Sequence, residues 1–93
     1  MDNKYNGTED VAVTLLFFAK SRELTECSSK EVLLPRVSTR EDLISSIVEL
    51  FPSLVQIEKT VVVAVNQEYL DTGKRIELQK GDTVAIIPPL SGG

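Results

Sequence analysis

One stretch of the chain carries extended helical spacing, and it limits what the rest can be. Leu43, Ile44, Ile47, Val48, Leu50 and Phe51 recur three and four residues apart, which on a helix makes one broad apolar stripe. Ser38-Thr39-Arg40-Glu41 precedes the stripe with a capping-box pattern, Ser38 as N-cap and Glu41 as its reciprocal partner. Pro52 ends the helix at or before Phe51, because its ring disfavours helical backbone in the residue before it. Ser53 to Glu58 can add a short helical turn. A lone helix buries such a stripe only against another element, and the other apolar runs of this 93-residue chain read as strands. The stripe is therefore expected to be core, packed on a sheet.

Val11 to Phe18, rich in β-branched and aromatic residues, predicts the first strand. Alternation places Val11, Val13, Leu15 and Phe17 on the core face and Ala12, Thr14, Leu16 and Phe18 on the other. An outward Phe18 is a large apolar group in need of a cover. Ala19 to Leu24 is charged and predicts a turn or a single helical turn. Lys30 to Leu34, ended by Pro35, predicts a second strand that folds back on the first as an antiparallel hairpin. Val61 to Val65 is a continuous β-branched run, as in a central strand buried on both faces. Asn66-Gln67-Glu68 then turns and Tyr69-Leu70 pairs back briefly. Asp71-Thr72-Gly73 and Lys80-Gly81-Asp82 are further turns. Thr83 to Ile87 is the last strand, with Val84 and Ile86 on one face and Ala85 and Ile87 on the other. The order strand, strand, helix, strand, short strand, strand predicts an α+β roll built on one mixed sheet. Its first and last strands can pair in parallel at the centre, because a long crossover separates them. The expected division is a disordered N-terminal tail at 1–10, a domain at 11–87 and a flexible C-terminal tail at 88–93.

Composition narrows the function. The formal net charge of −4 argues against nucleic acid, whose phosphates attract Lys and Arg, and suits steering toward a basic protein surface. Cys27 is the single cysteine and there is no histidine, so no internal disulfide and no zinc or iron–sulfur site can be built within the chain. Cys27 reads as an inert loop thiol or a reactive one, without a basic cluster around it. No apolar run approaches the ~20 residues of a membrane span. Met1 to Asp10 is polar and contains no arginine, unlike a signal or transit peptide, so a cytosolic location is expected.

The ending Pro88-Pro89-Leu90-Ser91-Gly92-Gly93 is chemically unusual. Each proline fixes φ and supplies no N–H, so strand pairing through Ile87 should stop and an extended stalk begin. Gly92 and Gly93 remove every side chain beside the terminal carboxylate, leaving its carbonyl open to approach. Six extended residues reach at most roughly 20 Å, enough to carry a carboxylate into a buried site on another protein. A Gly-Gly ending is also what a frayed terminus looks like.

The order of elements and the Gly-Gly end resemble the ubiquitin-like β-grasp fold. Phe17-Phe18-Ala19-Lys20-Ser21-Arg22-Glu23-Leu24, Ala64-Val65-Asn66-Gln67-Glu68-Tyr69 and the run from Lys80 to Gly93 resemble stretches of the small subunit of molybdopterin synthase. The ending Gly81-Asp82-Thr83-Val84-Ala85-Ile86-Ile87-Pro88-Pro89-Leu90-Ser91-Gly92-Gly93 is the most specific of them. The resemblance runs from Val11 to Gly93 and implies a sulfur carrier. A ubiquitin-activating-like enzyme using ATP would adenylate Gly93, and a sulfur donor would convert it to a thiocarboxylate. Pro88, Pro89, Leu90, Ser91 and Gly92 would thread the active site of a large catalytic subunit, in an assembly of two small and two large subunits. There the sulfur would pass to a cyclic pyranopterin phosphate to build a dithiolene. The small subunit would bind no cofactor and no metal of its own.

The residues agree with a partner-dependent role, since the chain has no phosphate-binding glycine loop and no histidine base. Phe18 and Ile87, with Tyr69, are expected to form an apolar docking patch at the root of the tail, because alternation turns Phe18 and Ile87 to the same side of the sheet. Other readings are a sulfur carrier of another pathway, a ubiquitin-like protein modifier and a binding module with an inert end.

Overall fold

A computed structural model describes residues 9–88; the expected N-terminal tail as far as residue 8, and Pro89 onward, lie outside them. Strand β1 (Asp10–Phe17) pairs antiparallel with β2 (Ser29–Pro35), Val13 opposite Val32. This is the expected hairpin, with its loop occupied by the short helix α1 (Lys20–Thr25). The strand takes in Asp10, and the Glu9 carbonyl accepts the Arg36 N–H at 2.9 Å, so both residues, expected in the tail, pack as part of the domain.

Helix α2 (Arg40–Leu50) is the striped element, and Leu43, Ile44 and Ile47 are its buried residues. Its N-cap is Thr39 and not Ser38: the Thr39 hydroxyl accepts the Asp42 N–H at 3.2 Å. The Ser-x-x-Glu pattern is overlapped by Thr-x-x-Asp one residue later, and the second is the one used. Ser38 is instead drawn into a strand, β3 (Val37–Thr39), which pairs antiparallel with β6 (Arg75–Glu77). Sequence reading does not reveal this second, two-stranded sheet, because each strand is three residues long. After α2 a 3-10 helix covers Pro52–Ile57, where a short helical turn is expected.

The main sheet runs β2-β1-β7-β4-β5, with β4 at Val62–Val65, β5 at Glu68–Tyr69 and β7 at Thr83–Ile87. As expected, β1 and β7 are parallel neighbours, Phe17 opposite Ile86. The other pairings are antiparallel. Strand β4 starts one residue later than expected, and only Val63 and Ala64 within it are buried, with Val62 and Val65 partly so.

The core fills the space between the sheet and α2. Val13, Leu15 and Phe17 from β1, Val84 and Ile86 from β7, and Val63 from β4 face Leu43, Ile44 and Ile47. Leu34, Leu54 and Leu78 close its edges. Val11, expected in the core, is only partly buried at the start of β1. Arg36, Glu9 and Glu77 form a surface ion-pair set that ties β6 to the start of β1.

Candidate docking groove at the root of the tail

The face of the sheet away from α2 carries a cross-strand row set by register. Leu16 lies opposite Ala85, Ala85 opposite Ala64, and Ala64 opposite Tyr69. Two alanines at the middle of the row, between larger residues at its flanks, leave a hollow. It has a volume of about 410 Å³, with Leu16, Ala64 and Ala85 as its floor. Phe18, Tyr69 and Ile87 form its walls, and Gln67 and Thr83 supply polar groups at its rim.

All three residues expected at a docking patch therefore line one groove. Phe18 is 46% exposed and Tyr69 71%, while Ile87 is half-buried. The floor residues Leu16, Ala64 and Ala85 are small or partly buried and do not stand out in sequence; only the register identifies them. Pro88 follows Ile87 directly, so the groove sits where the chain leaves the sheet. The expected tail residues Pro89, Leu90, Ser91, Gly92 and Gly93 lie outside the described residues.

Behind Phe18 the backbone turns sharply. Ala19 has φ 53° and ψ −125°, and the Ser21 N–H donates to the Phe18 carbonyl at 3.1 Å. These are the marks of a type II′ turn, whose first central position favours glycine. Ser21 is wholly buried, the one polar residue so placed among the described residues. Its hydroxyl accepts the Phe18 N–H at 2.9 Å and faces two carbonyls, Phe18 O at 2.7 Å and Ile86 O at 2.9 Å. Ser21 lies in a short charged stretch and reads from sequence as a surface residue.

Elsewhere, Cys27 is half-buried beside an open hollow of about 720 Å³ that Arg22, Glu23 and Glu26 also line. Among the described residues no group of His, Cys, Asp and Glu is arranged to hold a metal ion. No described helix is long and apolar enough to cross a membrane. In the first turn of α2, the Glu41 carboxylate accepts the Gly73 N–H at 3.0 Å and pairs with Arg40 at 3.2 Å. Desolvation pushes the Glu41 carboxyl up, but the N–H groups of Glu41 and Gly73 and the Arg40 guanidinium together hold it below its ordinary value.

A mixed sheet with its first and last strands parallel at the centre, one main helix across it and an apolar groove at the exit of the last strand defines a ubiquitin-like β-grasp protein. The chain belongs to the ThiS family, whose model matches residues 15–93. It is 41% identical to a molybdopterin synthase sulfur carrier subunit of Caenorhabditis briggsae, covering 89% of this chain and 99% of the relative. Among solved structures it is similar to a putative molybdopterin converting factor, subunit 1, from Pyrococcus furiosus (TM-score 0.68, 26% identity, 86% of this chain and 99% of that one). The same fold occurs in a protein–protein complex of subunits 1 and 2 of the molybdopterin-converting factor from Helicobacter pylori (TM-score 0.62, 18% identity, 89% and 100% covered).

Proposed function

We propose that the chain is the sulfur carrier subunit of a molybdopterin synthase and that Gly93 carries the sulfur. The observation that carries this reading is the likeness to sulfur carrier subunits over nearly the whole length of both chains. The Gly-Gly end and the groove at its root are consistent with it. The chain supplies a reactive end and a docking face, and the catalytic groups belong to partners.

The chemistry follows from the carboxylate. A free carboxylate is a poor acylating group. Attack of the Gly93 carboxylate on ATP releases pyrophosphate and forms a mixed anhydride with AMP. A sulfur donor then displaces AMP and leaves a thiocarboxylate. An activating enzyme of the ubiquitin-activating type performs both steps and uses the ATP; the chain itself holds no cofactor. Docked on a large catalytic subunit, in a two-plus-two heterotetramer, the thiocarboxylate sulfur acts as the nucleophile toward a cyclic pyranopterin phosphate. Its delivery breaks the acyl carbon–sulfur bond, water supplies the oxygen, and the Gly93 carboxylate returns. Pro88, Pro89, Leu90, Ser91 and Gly92 span the distance into the partner's site. Phe18, Tyr69 and Ile87 hold the body against it. A cytosolic location suits these partners.

The test is an intact mass of the chain after incubation with ATP, a sulfur donor and an activating enzyme. Exchange of one oxygen for sulfur at Gly93, followed by loss of that sulfur on adding the large subunit and precursor, is the expected result. A ladder of protein adducts would instead identify a modifier, and an unchanged mass an inert end. A chain extended by one residue beyond Gly93 should stay uncharged while remaining folded.

A further inference from the structure

The parallel β1–β7 ladder has a missing rung. Phe17 lies opposite Ile86, so the next step pairs Phe18 with Ile87. In a parallel ladder the Phe18 N–H bonds to the carbonyl before its partner, and the Phe18 carbonyl to the N–H after it. The first of these forms, Phe18 N–H to Ile86 O at 3.3 Å. The second would come from residue 88, which is a proline and has no N–H. A backbone carbonyl near the core without a donor costs about 1–3 kcal/mol. Ser21 supplies the donors in its place: its backbone N–H reaches Phe18 O at 3.1 Å and its hydroxyl the same atom at 2.7 Å. The same hydroxyl is within 2.9 Å of Ile86 O, the last core residue before the tail.

We infer that Ser21 is a positioning residue, whose buried hydroxyl closes the ladder that Pro88 leaves open and so sets the direction of the tail relative to Phe18. This rests on the sulfur carrier reading above. The hydroxyl touches both the Phe18 N–H, just past the end of β1, and the Ile86 carbonyl, two residues before Pro88, and it is shut away from solvent, so water cannot replace it. Without it, Ile87 keeps its place at the end of β7 but Pro88 loses a fixed angle of departure. The docking wall and the reactive end would then no longer be presented in one geometry.

The experiment uses the full chain with a thiocarboxylate at Gly93, obtained by cleaving an intein thioester with sulfide, in single turnovers with the large subunit and precursor. Ser21→Ala and Ser21→Cys should transfer sulfur roughly tenfold or more slowly at saturating large subunit, since small misplacements of a reacting group are costly. Their Kd for the large subunit should change less than about threefold, because the groove walls remain. Ser21→Thr, which keeps the hydroxyl, should recover most of the rate. In the free chain, residual dipolar couplings of the Ile87 N–H and the Pro88 Cα–Hα should change in Ser21→Ala while those of Val13 and Val63 stay. A wild-type rate in Ser21→Ala and Ser21→Cys, a Kd that weakens as much as the rate, or unchanged Ile87 and Pro88 couplings would each overturn the inference. A wild-type chain that transfers no sulfur overturns the sulfur carrier reading instead, and the couplings still decide whether Ser21 directs the tail.

Discussion

The ring of Phe17 meets that of Phe51 edge to face, with centroids 5.0 Å apart and planes inclined at 72°. Phe18, the next residue, points to the opposite side of the sheet and walls the groove. Two adjacent phenylalanines thus have separate tasks, and truncation separates them. Phe17→Ala should cost about 3–5 kcal/mol of stability, the usual loss for a buried aromatic. Phe18→Ala should leave the urea midpoint nearly unchanged and weaken binding to a large subunit by about 2 kcal/mol or more, as interface anchors do. Chemical denaturation and calorimetric titration of both variants check this. The reverse pattern would mean that the faces of β1 are exchanged.

The staggered cap makes a second comparison. Thr39→Ala removes the acceptor for the Asp42 N–H and should cost about 1 kcal/mol. The Ser38 hydroxyl is buried without a partner, so Ser38→Ala should be neutral or slightly stabilising. Urea unfolding distinguishes the two; a larger loss from Ser38→Ala would restore Ser38 as the cap.

Ala19 holds a backbone conformation that its Cβ resists. Such strain is worth about 1–3 kcal/mol, against about 0.4–1 kcal/mol of extra unfolded-state freedom for glycine. Ala19→Gly should therefore stabilise the domain by about 1 kcal/mol, seen as a higher melting temperature. Ala19→Val, β-branched at the same position, should lower it.

Glu41 makes stability depend on pH in the acid range. Its folded pKa lies below its unfolded one, so its contribution is present above the unfolded value and is lost as pH falls through the folded value. Urea midpoints taken downward from about pH 6 should fall less steeply in Glu41→Gln than in the parent, the difference opening below about pH 4.3, the ordinary glutamate value. Parallel curves would show that Gly73 and Arg40 do not favour the charged carboxylate.

The long elements were legible in the sequence because each has a clean period. Alternation in β1 and β7 set their faces, and from the faces came the meeting of Phe18 with Ile87. Strands β3 and β6 were not legible: Val37-Ser38-Thr39 lies under a capping pattern, and Arg75-Ile76-Glu77 offers a single apolar residue between two charges. The concavity of the groove was hidden for a different reason. Ala64 and Ala85 are separated by 21 positions, and only pairing across β4 and β7 sets them side by side. Ser21 was missed because a hydroxyl among Lys20, Arg22 and Glu23 carries no mark of burial in the sequence. The tail expected at 88–93 lies, past Pro88, outside the described residues.

Strand β7 joins the β2–β1 pair to the β4–β5 pair, and it follows every other element along the chain. During synthesis the two halves of the sheet would emerge first and wait without the strand that unites them. Contacts such as Phe17 with Ile86 close a long loop, which slows folding. A chain broken off before Thr83 would lack the strand that unites the two halves, so truncations of that kind should not accumulate as folded bodies. The order of the strands thus makes completion of the fold wait for the strand that leads directly into the chain's end.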